Sequence, residues 1–188
     1  MYETSNFKKG LYIEIDKVPY EIVDFQHVKP GKGNAFTRTR IKNLLNSNVI
    51  ERTFKSGETF DEPNLETKKM QYLYSDKDGF QFMDLEAYET VSFDGKIVGD
   101  KKYYLTENLE IEVLYFDGKP ITIDLPNFVE LQVTYTEPGI RGDTASSGGT
   151  KQATVSTGLV VNVPLHISMR DWLKIDTRTG SYYEKISK

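Results

Sequence analysis

A lysine flanked by two glycines lies in the segment 29–33, Lys-Pro-Gly-Lys-Gly, and its amine is the group in this sequence with the best-defined local structure. Its glycines and its proline predict a tight turn between strands, so the amine of Lys32 is expected to project from the tip of a hairpin, free of packing. An ordinary solvated turn lysine is the alternative. A phosphate-binding loop is excluded, because that motif requires Gly-x-x-x-x-Gly-Lys followed by Ser or Thr. Spacing alone therefore leaves both roles of Lys32 open.

Three cations follow this turn at alternate positions of one predicted strand: Arg38, Arg40 and Lys42. Alternate residues of a strand face the same way, so their charges are expected to point together. No Asp or Glu occurs between Asp24 and Glu51. Although the chain carries a net charge of -4, the sequence therefore predicts a local positive patch that suits the phosphate backbone of a nucleic acid.

Groups that could perform covalent catalysis or bind a metal are scarce. His27 and His166 are the two imidazoles and the chain has no cysteine, so a zinc site would need distant carboxylates and a structural role is favoured for both histidines. The segment 76–79, Asp-Lys-Asp-Gly, resembles a calcium loop, but its glycine comes too early and later ligands are missing. Without a paired nucleophile and base, we expect neither an enzyme nor a cofactor or metal site.

A stretch rich in glycine and hydroxyl groups, residues 139–151, predicts a long loop in the last third of the chain. Two roles fit it equally well: a flexible connector, or a contact in which backbone amides and hydroxyls meet phosphates or bases. The tripeptide Arg141-Gly-Asp143 would fit an adhesion role, which is discounted because nothing in the sequence suggests export.

Short alternating segments rich in Val, Ile, Thr, Tyr and Phe dominate the chain, separated by Gly, Pro, Asn or Asp pairs. This pattern is typical of half-buried antiparallel strands, so an all-β fold is predicted, with hairpin turns at 78–79 and 117–118 and a short helix at 101–107. The predicted strands are 11–15, 20–28, 35–43, 49–54, 69–75, 81–84, 88–92, 111–116, 120–124, 128–135, 152–154, 160–164, 172–176 and 182–186.

Polar stretches with a proline at 61–64 and 125–127 divide the chain into three predicted domains, residues 1–64, 65–127 and 128–188. Lys and Arg number ten against nine acids in residues 1–64, seven against thirteen in 65–128 and seven against six in 129–188. The middle third therefore holds the acidity. The start lacks a signal-peptide pattern, no apolar run could span a bilayer, and cysteine is absent, so a cytoplasmic protein without a membrane partner is expected.

The chain resembles the bacterial elongation factor P family, the counterpart of the eukaryotic and archaeal factor that carries hypusine on a loop lysine. In the first third the resemblance rests on 27–36 (HVKPGKGNAF), 42–44 (KNL) and 54–60 (FKSGETF). Further along it rests on 71–74 (QYLY), 82–84 (FMD), 138–144 (PGIRGDT), 153–158 (ATVSTG), 163–164 (VP) and 175–180 (IDTRTG). So many matches in one order argue against coincidence.

This resemblance implies an N-terminal KOW-like barrel followed by two OB-like barrels, in an L-shaped arrangement that resembles tRNA. It implies a monomer that binds the 70S ribosome between the P and E sites, beside peptidyl-tRNA. The predicted strand that carries Arg38, Arg40 and Lys42 would contact rRNA and tRNA there. Arg141, Gly142, Asp143 and Thr144 match the loop that approaches the E-site codon of the mRNA and the small subunit.

Lys32 takes the position of the loop residue that many family members extend covalently, so a modifying enzyme is a further expected partner. Members use different modifications or none, and the chemical group on Lys32 is left open. The functional loop implied by the resemblance consists of Lys32 with Lys29, Pro30, Gly31, Gly33 and Asn34.

The implied function is that of a non-enzymatic elongation factor that stimulates peptide-bond formation at consecutive prolines by positioning peptidyl-tRNA. Two alternatives stay open. A general OB-type RNA-binding accessory protein would explain the barrels and the basic strand but not the exposed lysine turn. A close paralogue within the same family is the other alternative. A barrel-based hydrolase ranks behind both, because it would need a pocket with convergent carboxylates.

Overall fold

The chain folds mainly into β-strands, which confirms the predicted fold class. A computed structural model describes residues 1–139 and 148–188, and the helices within them are the 3₁₀ segments Thr4–Asn6 and Gly99–Tyr104 and the short α-helix Gly95–Val98. None of the helices in these ranges is long and apolar enough to cross a membrane. The helix predicted at 101–107 is partly confirmed, because helical structure begins at Gly99 and ends at Tyr104.

Contacts group the described residues into two compact units, residues 1–67 with 114–122, and residues 68–113 with 123–188. The strands of the first segment are β1 (Tyr2–Glu3), β2 (Tyr12–Ile15), β3 (Val18–Val28), β4 (Phe36–Asn43), β5 (Val49–Lys55) and β6 (Thr59–Phe60). They form an antiparallel sheet in the order β2-β3-β4-β5 and a separate short pairing of β1 with β6.

Local sequence explains the first hairpins. The turn between β2 and β3 consists of Asp16 and Lys17, whose φ angles of 50° and 64° give the left-handed geometry of a tight hairpin turn. The pairing of β3 with β4 runs the full length of β4, with one bulge on β3 between Ile22 and Asp24. β3 and β4 therefore form a long hairpin whose closed end holds residues 29–35.

The first core is built from aliphatic side chains of the sheet and aromatic rings of its flanking segments. Ile22 of β3 and Ile41 of β4 are fully buried, and they share this core with Phe7, Phe54 and Phe60. The ring centroids of Phe54 and Phe60 lie 4.7 Å apart, and those of Phe7 and Phe60 lie 5.6 Å apart. These ring contacts hold β5 and β6 and the segment before β2 against the long hairpin.

A second sheet has the strand order β11-β10-β7-β8-β9, in which β8 is antiparallel to both β7 and β9. The bounds of its strands are β7 (Leu65–Asp76), β8 (Gly79–Asp84), β9 (Thr90–Phe93), β10 (Glu110–Phe116) and β11 (Lys119–Asp124). The predicted turn at 117–118 is confirmed, since Asp117 and Gly118 have φ angles of 47° and 77°. The turn predicted at 78–79 lies one residue earlier, because Gly79 already begins β8. Gly79 has no room for a side chain, since an added Cβ would collide with the carbonyl oxygen of Phe93.

A third antiparallel sheet has the order β14-β13-β12-β15-β16. Its strands are β12 (Phe128–Thr136), β13 (Thr150–Val155), β14 (Val160–Pro164), β15 (Trp172–Asp176) and β16 (Ser181–Ile186). The inward residues are almost all aliphatic and include Leu131, Val163, Leu173 and Ile175, each with no exposed surface. Burial of this size is the main stabilising term for so small a sheet.

The helical segment Gly99–Tyr104 is fastened to the third sheet within the second unit. Tyr104 packs against the aliphatic core of that sheet, and the hydroxyl of Thr157 donates a hydrogen bond to the carbonyl oxygen of Tyr103. Burial, followed by the charges of nearby carboxylates, raises the pKa of Tyr104. The phenol oxygen of Tyr104 lies over Gly180, where an added Cβ would be 2.8 Å from it. Gly180 therefore leaves the space that this contact occupies.

We expect Gly180→Ala to destabilise the second unit in two ways. Gly180 has a φ of 72°, and the left-handed conformation costs a non-glycine residue about 1–2 kcal/mol. The clash with Tyr104 adds to that cost. Gly158→Ala is the matched control, because Gly158 has a φ of 87° but open space around its Cβ position. Urea unfolding followed by the fluorescence of Trp172, the single tryptophan, measures both variants.

The clash component is tested separately by adding Tyr104→Phe to each alanine variant, since this change removes the phenol oxygen. Tyr104→Phe should recover part of the stability lost in Gly180→Ala and none of that lost in Gly158→Ala. Equal losses in the two alanine variants would show that Tyr104 does not press on Gly180.

Candidate nucleic-acid interface

The closed end of the long hairpin places Lys32 in solvent. Residues 29–35 join β3 to β4, and Lys32 lies between two exposed glycines at the tip. Gly33 has a φ of 103°, a conformation that disfavours other residues, whereas Gly31 does not have a positive φ. Within residues 1–139 and 148–188, the Lys32 side chain makes no hydrogen bond or ion pair. Its amine is therefore available to an external ligand.

The stem below the tip is held by a side-chain bond that sequence reasoning missed. Nδ1 of His27, on β3, lies 2.8 Å from Oγ1 of Thr37, its direct partner on β4. Thr37 is 1% exposed, so its hydroxyl has little access to water. The His27 ring also packs edge-on against Phe25, with the centroids 5.3 Å apart. His27 thus has the structural role that was favoured for it.

The cations of β4 lie on one face of the first sheet. Thr37, Thr39 and Ile41 are buried, while Arg38 and Arg40 between them are exposed and Lys42 is half-buried. We call the face that carries these cations the outer face, since it is opposite to the first core. The alternation expected from the sequence therefore gives a row of positive charge directed away from the core.

The strands on either side of β4 change the charge along this row. Arg40 is opposite Asp24 on β3 and opposite Glu51 on β5. Asp24 also forms an ion pair with Lys9, with Nζ and Oδ1 3.3 Å apart. Hydrogen bonding and charge from Lys9, together with a contribution from Arg40, lower the pKa of Asp24. The two acids that bound the acid-free stretch of sequence are therefore neighbours of Arg40 in the sheet.

The other side chains considered as metal ligands lie in turns and connections of the fold. The carboxylate of Asp76 accepts hydrogen bonds from the backbone of Asp78 at 2.8 Å and from the side chain of Gln81 at 3.3 Å, as in a hairpin turn. His166 is exposed in the connection that follows β14. Across the two described ranges, no cluster of three or more His, Asp or Glu side chains could hold a metal ion.

The predicted codon-contacting residues, Arg141, Gly142, Asp143 and Thr144, lie outside the described residues. Glycines at the two ends of the same segment do lie within them. An added Cβ at Gly139 would collide with the carbonyl oxygen of Leu165, and one at Gly149 would lie 3.2 Å from Cδ1 of Leu165. Both ends are therefore packed closely against one residue.

Family models match three consecutive parts of the chain. Residues 3–60 match the KOW-like domain of elongation factor P, residues 65–123 its OB domain and residues 129–185 its C-terminal model. The boundaries predicted at 64 and 127 stay predictions, because the structure itself groups contacts into two units.

Curated relatives match over the full length. Proteins named elongation factor P from Bdellovibrio bacteriovorus and from Thermodesulfovibrio yellowstonii are each 52% identical over 188 residues, covering 100% of both chains. A solved structure titled eukaryotic translation initiation factor 5A, from Methanococcus jannaschii, aligns with a TM-score of 0.54 and 29% identity, covering 66% of this chain and 91% of that one.

The KOW-like and OB folds, with an exposed basic hairpin and these relatives, define a translation factor. Full-length identity of about one half then makes the assignment specific. The chain belongs to the elongation factor P family, and it is a translation elongation factor.

We predict that His27→Leu weakens the hairpin stem, because it leaves the buried hydroxyl of Thr37 without its hydrogen-bond partner. The expected loss is about 1–3 kcal/mol of unfolding free energy. Adding Thr37→Val removes both polar groups, so the double variant should lose less than the sum of the single changes. Urea unfolding followed by far-ultraviolet circular dichroism measures all three variants. Strictly additive losses would contradict the proposed bond.

Proposed function

We propose that this protein binds the ribosome between the P and E sites and accelerates peptide-bond formation at consecutive prolines, with Lys32 acting near the peptidyl-transferase centre. The observation that carries the proposal is the exposed Lys32 amine at the tip of a hairpin whose stem is fixed by buried contacts. The outer face of β4 supplies positive charge for rRNA and peptidyl-tRNA. Membership of the elongation factor P family supports the same role.

Such a factor needs no covalent chemistry of its own. Proline is a poor acceptor because its nitrogen is secondary and its φ is fixed, and successive prolines stiffen the nascent chain toward an extended helix. A cationic arm beside the tRNA end would limit unproductive poses of the reacting groups. A tenfold gain in rate requires only about 1.4 kcal/mol of transition-state stabilisation. Positioning by one arm is sufficient for an effect of that size.

Covalent extension of Lys32 is part of the proposal, and the loop geometry supports it. Lys32 is exposed, and the Cβ position of neighbouring Gly31 has open space around it. A modifying enzyme could therefore approach the amine without displacing packed residues. The modification would lengthen the reach of the arm while the hairpin stem stays unchanged.

The C-terminal segment supplies the second contact in this proposal. Arg141, Gly142, Asp143 and Thr144 would approach the E-site codon and the small subunit, as their match to the family motif suggests. The protein would act as a monomer in the cytoplasm, where its partners are the ribosome, peptidyl-tRNA and mRNA.

A general single-stranded RNA binder is the rival function, and such proteins combine aromatic platforms with available cations. The third sheet also combines aromatic rings with cations. Lys174 lies 5.0 Å from the ring centre of Phe128, and Lys188 lies 4.2 Å from that of Trp172. However, Lys174 is paired with Glu184 and Lys188 with Glu130. The carboxylate beside each cation weakens its attraction for phosphates, which disfavours the rival.

In a reconstituted translation system, the protein should accelerate synthesis through a Pro-Pro stretch and leave a proline-free message nearly unchanged. The reason is that the proposed arm acts on the slow positioning step, which other acceptors complete unaided. Rates of full-length product on matched messages measure the effect. Equal stimulation of both messages would remove the proline part of the proposal.

Lys32→Ala should abolish most of the Pro-Pro stimulation while ribosome affinity stays within about tenfold of wild type, or about 1.4 kcal/mol. Other surfaces supply most of the binding, whereas Lys32 acts on the reacting complex. Lys8→Ala is the control, because Lys8 is another exposed lysine of the first unit. Complete loss of binding in Lys32→Ala would show that Lys32 anchors the complex instead of acting on the rate.

A further inference from the structure

We propose that RNA contact on the outer face is concentrated at its loop end, on Arg38 of β4 and Lys55 of β5, and that Arg40 and Lys42 contribute little. This inference rests on the proposed ribosome binding and specifies which cations perform it. Spacing along β4 makes Arg38, Arg40 and Lys42 equivalent. The residues opposite them on the neighbouring strands distinguish them.

Arg38 and Lys55 are brought together by the register of β4 and β5. Lys55 is directly opposite Phe36, and Arg38 is two residues from Phe36 on the same face of β4. Such diagonal neighbours lie about 7–8 Å apart, so two cations there can contact neighbouring phosphates of one RNA strand. The guanidinium of Arg38 lies 5.7 Å from the ring centre of Phe36, which limits its freedom and keeps it near Lys55.

Neutral residues surround Arg38 along its row of the sheet. Its partners are Gln26 on β3 and Thr53 on β5. Arg38 also borders a surface depression of about 350 Å³ that it shares with Arg52, Glu51 and Thr53. Arg52 is opposite the buried Thr39 and so faces the other side of the sheet, which leaves Arg38 and Glu51 as the charged side chains on this face of the depression.

Glu58 contacts Lys55 through the backbone of Lys55. A carboxylate oxygen of Glu58 accepts a hydrogen bond from the backbone nitrogen of Lys55 at 3.0 Å. Among the described residues the Lys55 side chain forms no ion pair. Together with Lys29 and Lys32, which are also exposed, Arg38 and Lys55 give the loop end four cations, with Glu58 beside Lys55 and Glu51 in the depression that Arg38 borders.

The other half of the outer face is balanced by acids. Arg40 has Asp24 and Glu51 opposite it, and Lys42 has Glu21 opposite it. With Lys9 included, this region holds three cations and three carboxylates. An RNA phosphate placed there would meet repulsion as well as attraction, and binding it would release few counterions. A polyanion is therefore expected to settle at the loop end.

The test compares the salt dependence of binding for Arg38→Gln, Lys55→Gln and the matched control Arg40→Gln. Equilibrium binding to ribosomes that hold peptidyl-tRNA in the P site is measured over a fourfold range of KCl. Each lost phosphate contact should reduce the slope of log affinity against log salt by about 0.7–0.9, so the wild type should lose about three times more affinity over that range than Arg38→Gln or Lys55→Gln. Arg40→Gln should keep the wild-type slope.

A second measurement identifies the partner at Lys55. The chain has no cysteine, so Lys55→Cys provides a single thiol for a photoactivatable crosslinker. RNA in the crosslinked product, removable by nuclease, is the expected result. A product that contains only ribosomal protein would overturn the assignment to RNA.

With normal wild-type binding, two results would overturn the inference and leave the proposed function standing. Either Arg40→Gln flattens the slope as much as Arg38→Gln, or Lys55→Gln leaves the slope unchanged. If the wild type shows no ribosome affinity at any salt concentration, the proposed function fails and the inference fails with it. The two failures are distinguished by the wild-type curve alone.

Discussion

The register of the β3–β4 hairpin is the constraint on which the rest of the first unit depends. Side chains alternate along a strand, so a shift of one residue would turn the arginines of β4 into the core and expose Ile41. Burial of Ile41 and the bond between His27 and Thr37 oppose that shift. The same register holds Lys32 at the tip. Core packing and site geometry are therefore two consequences of one strand pairing.

The hairpin combines a fixed stem with an unpacked tip, and the proposed function needs both properties. The stem is closed by paired strands, and the backbone nitrogen of Ser56 donates a hydrogen bond to the carbonyl oxygen of Ala35 at 3.1 Å beside the loop. The side chain of Lys32 meets none of these groups. A long side chain on a rigid support can reach a reacting centre with little further ordering of the backbone, which lowers the entropic cost of positioning.

Alternating hydrophobicity was sufficient to predict the all-β fold, the strand at 160–164 in full, and the outward direction of the β4 arginines. Effects that depend on cross-strand register could not be read from the sequence. Asp24 and Glu51 bound the acid-free stretch in the sequence and appeared to leave Arg40 alone, yet the sheet places both opposite it. Lys55 was missed for the same reason.

If the loop positions the Lys32 amine as proposed, the geometry of the loop, and not merely the charge of Lys32, determines activity at prolines. Gly33→Ala tests it directly, because Gly33 has a φ of 103° while its Cβ position meets nothing closer than 4.0 Å. Gly31→Ala is the control, since Gly31 lacks a positive φ and also has open space. The measurement is the rate of peptide-bond formation through Pro-Pro at saturating factor. We predict a slower rate for Gly33→Ala and a wild-type rate for Gly31→Ala, whereas wild-type rates for both would contradict the claim.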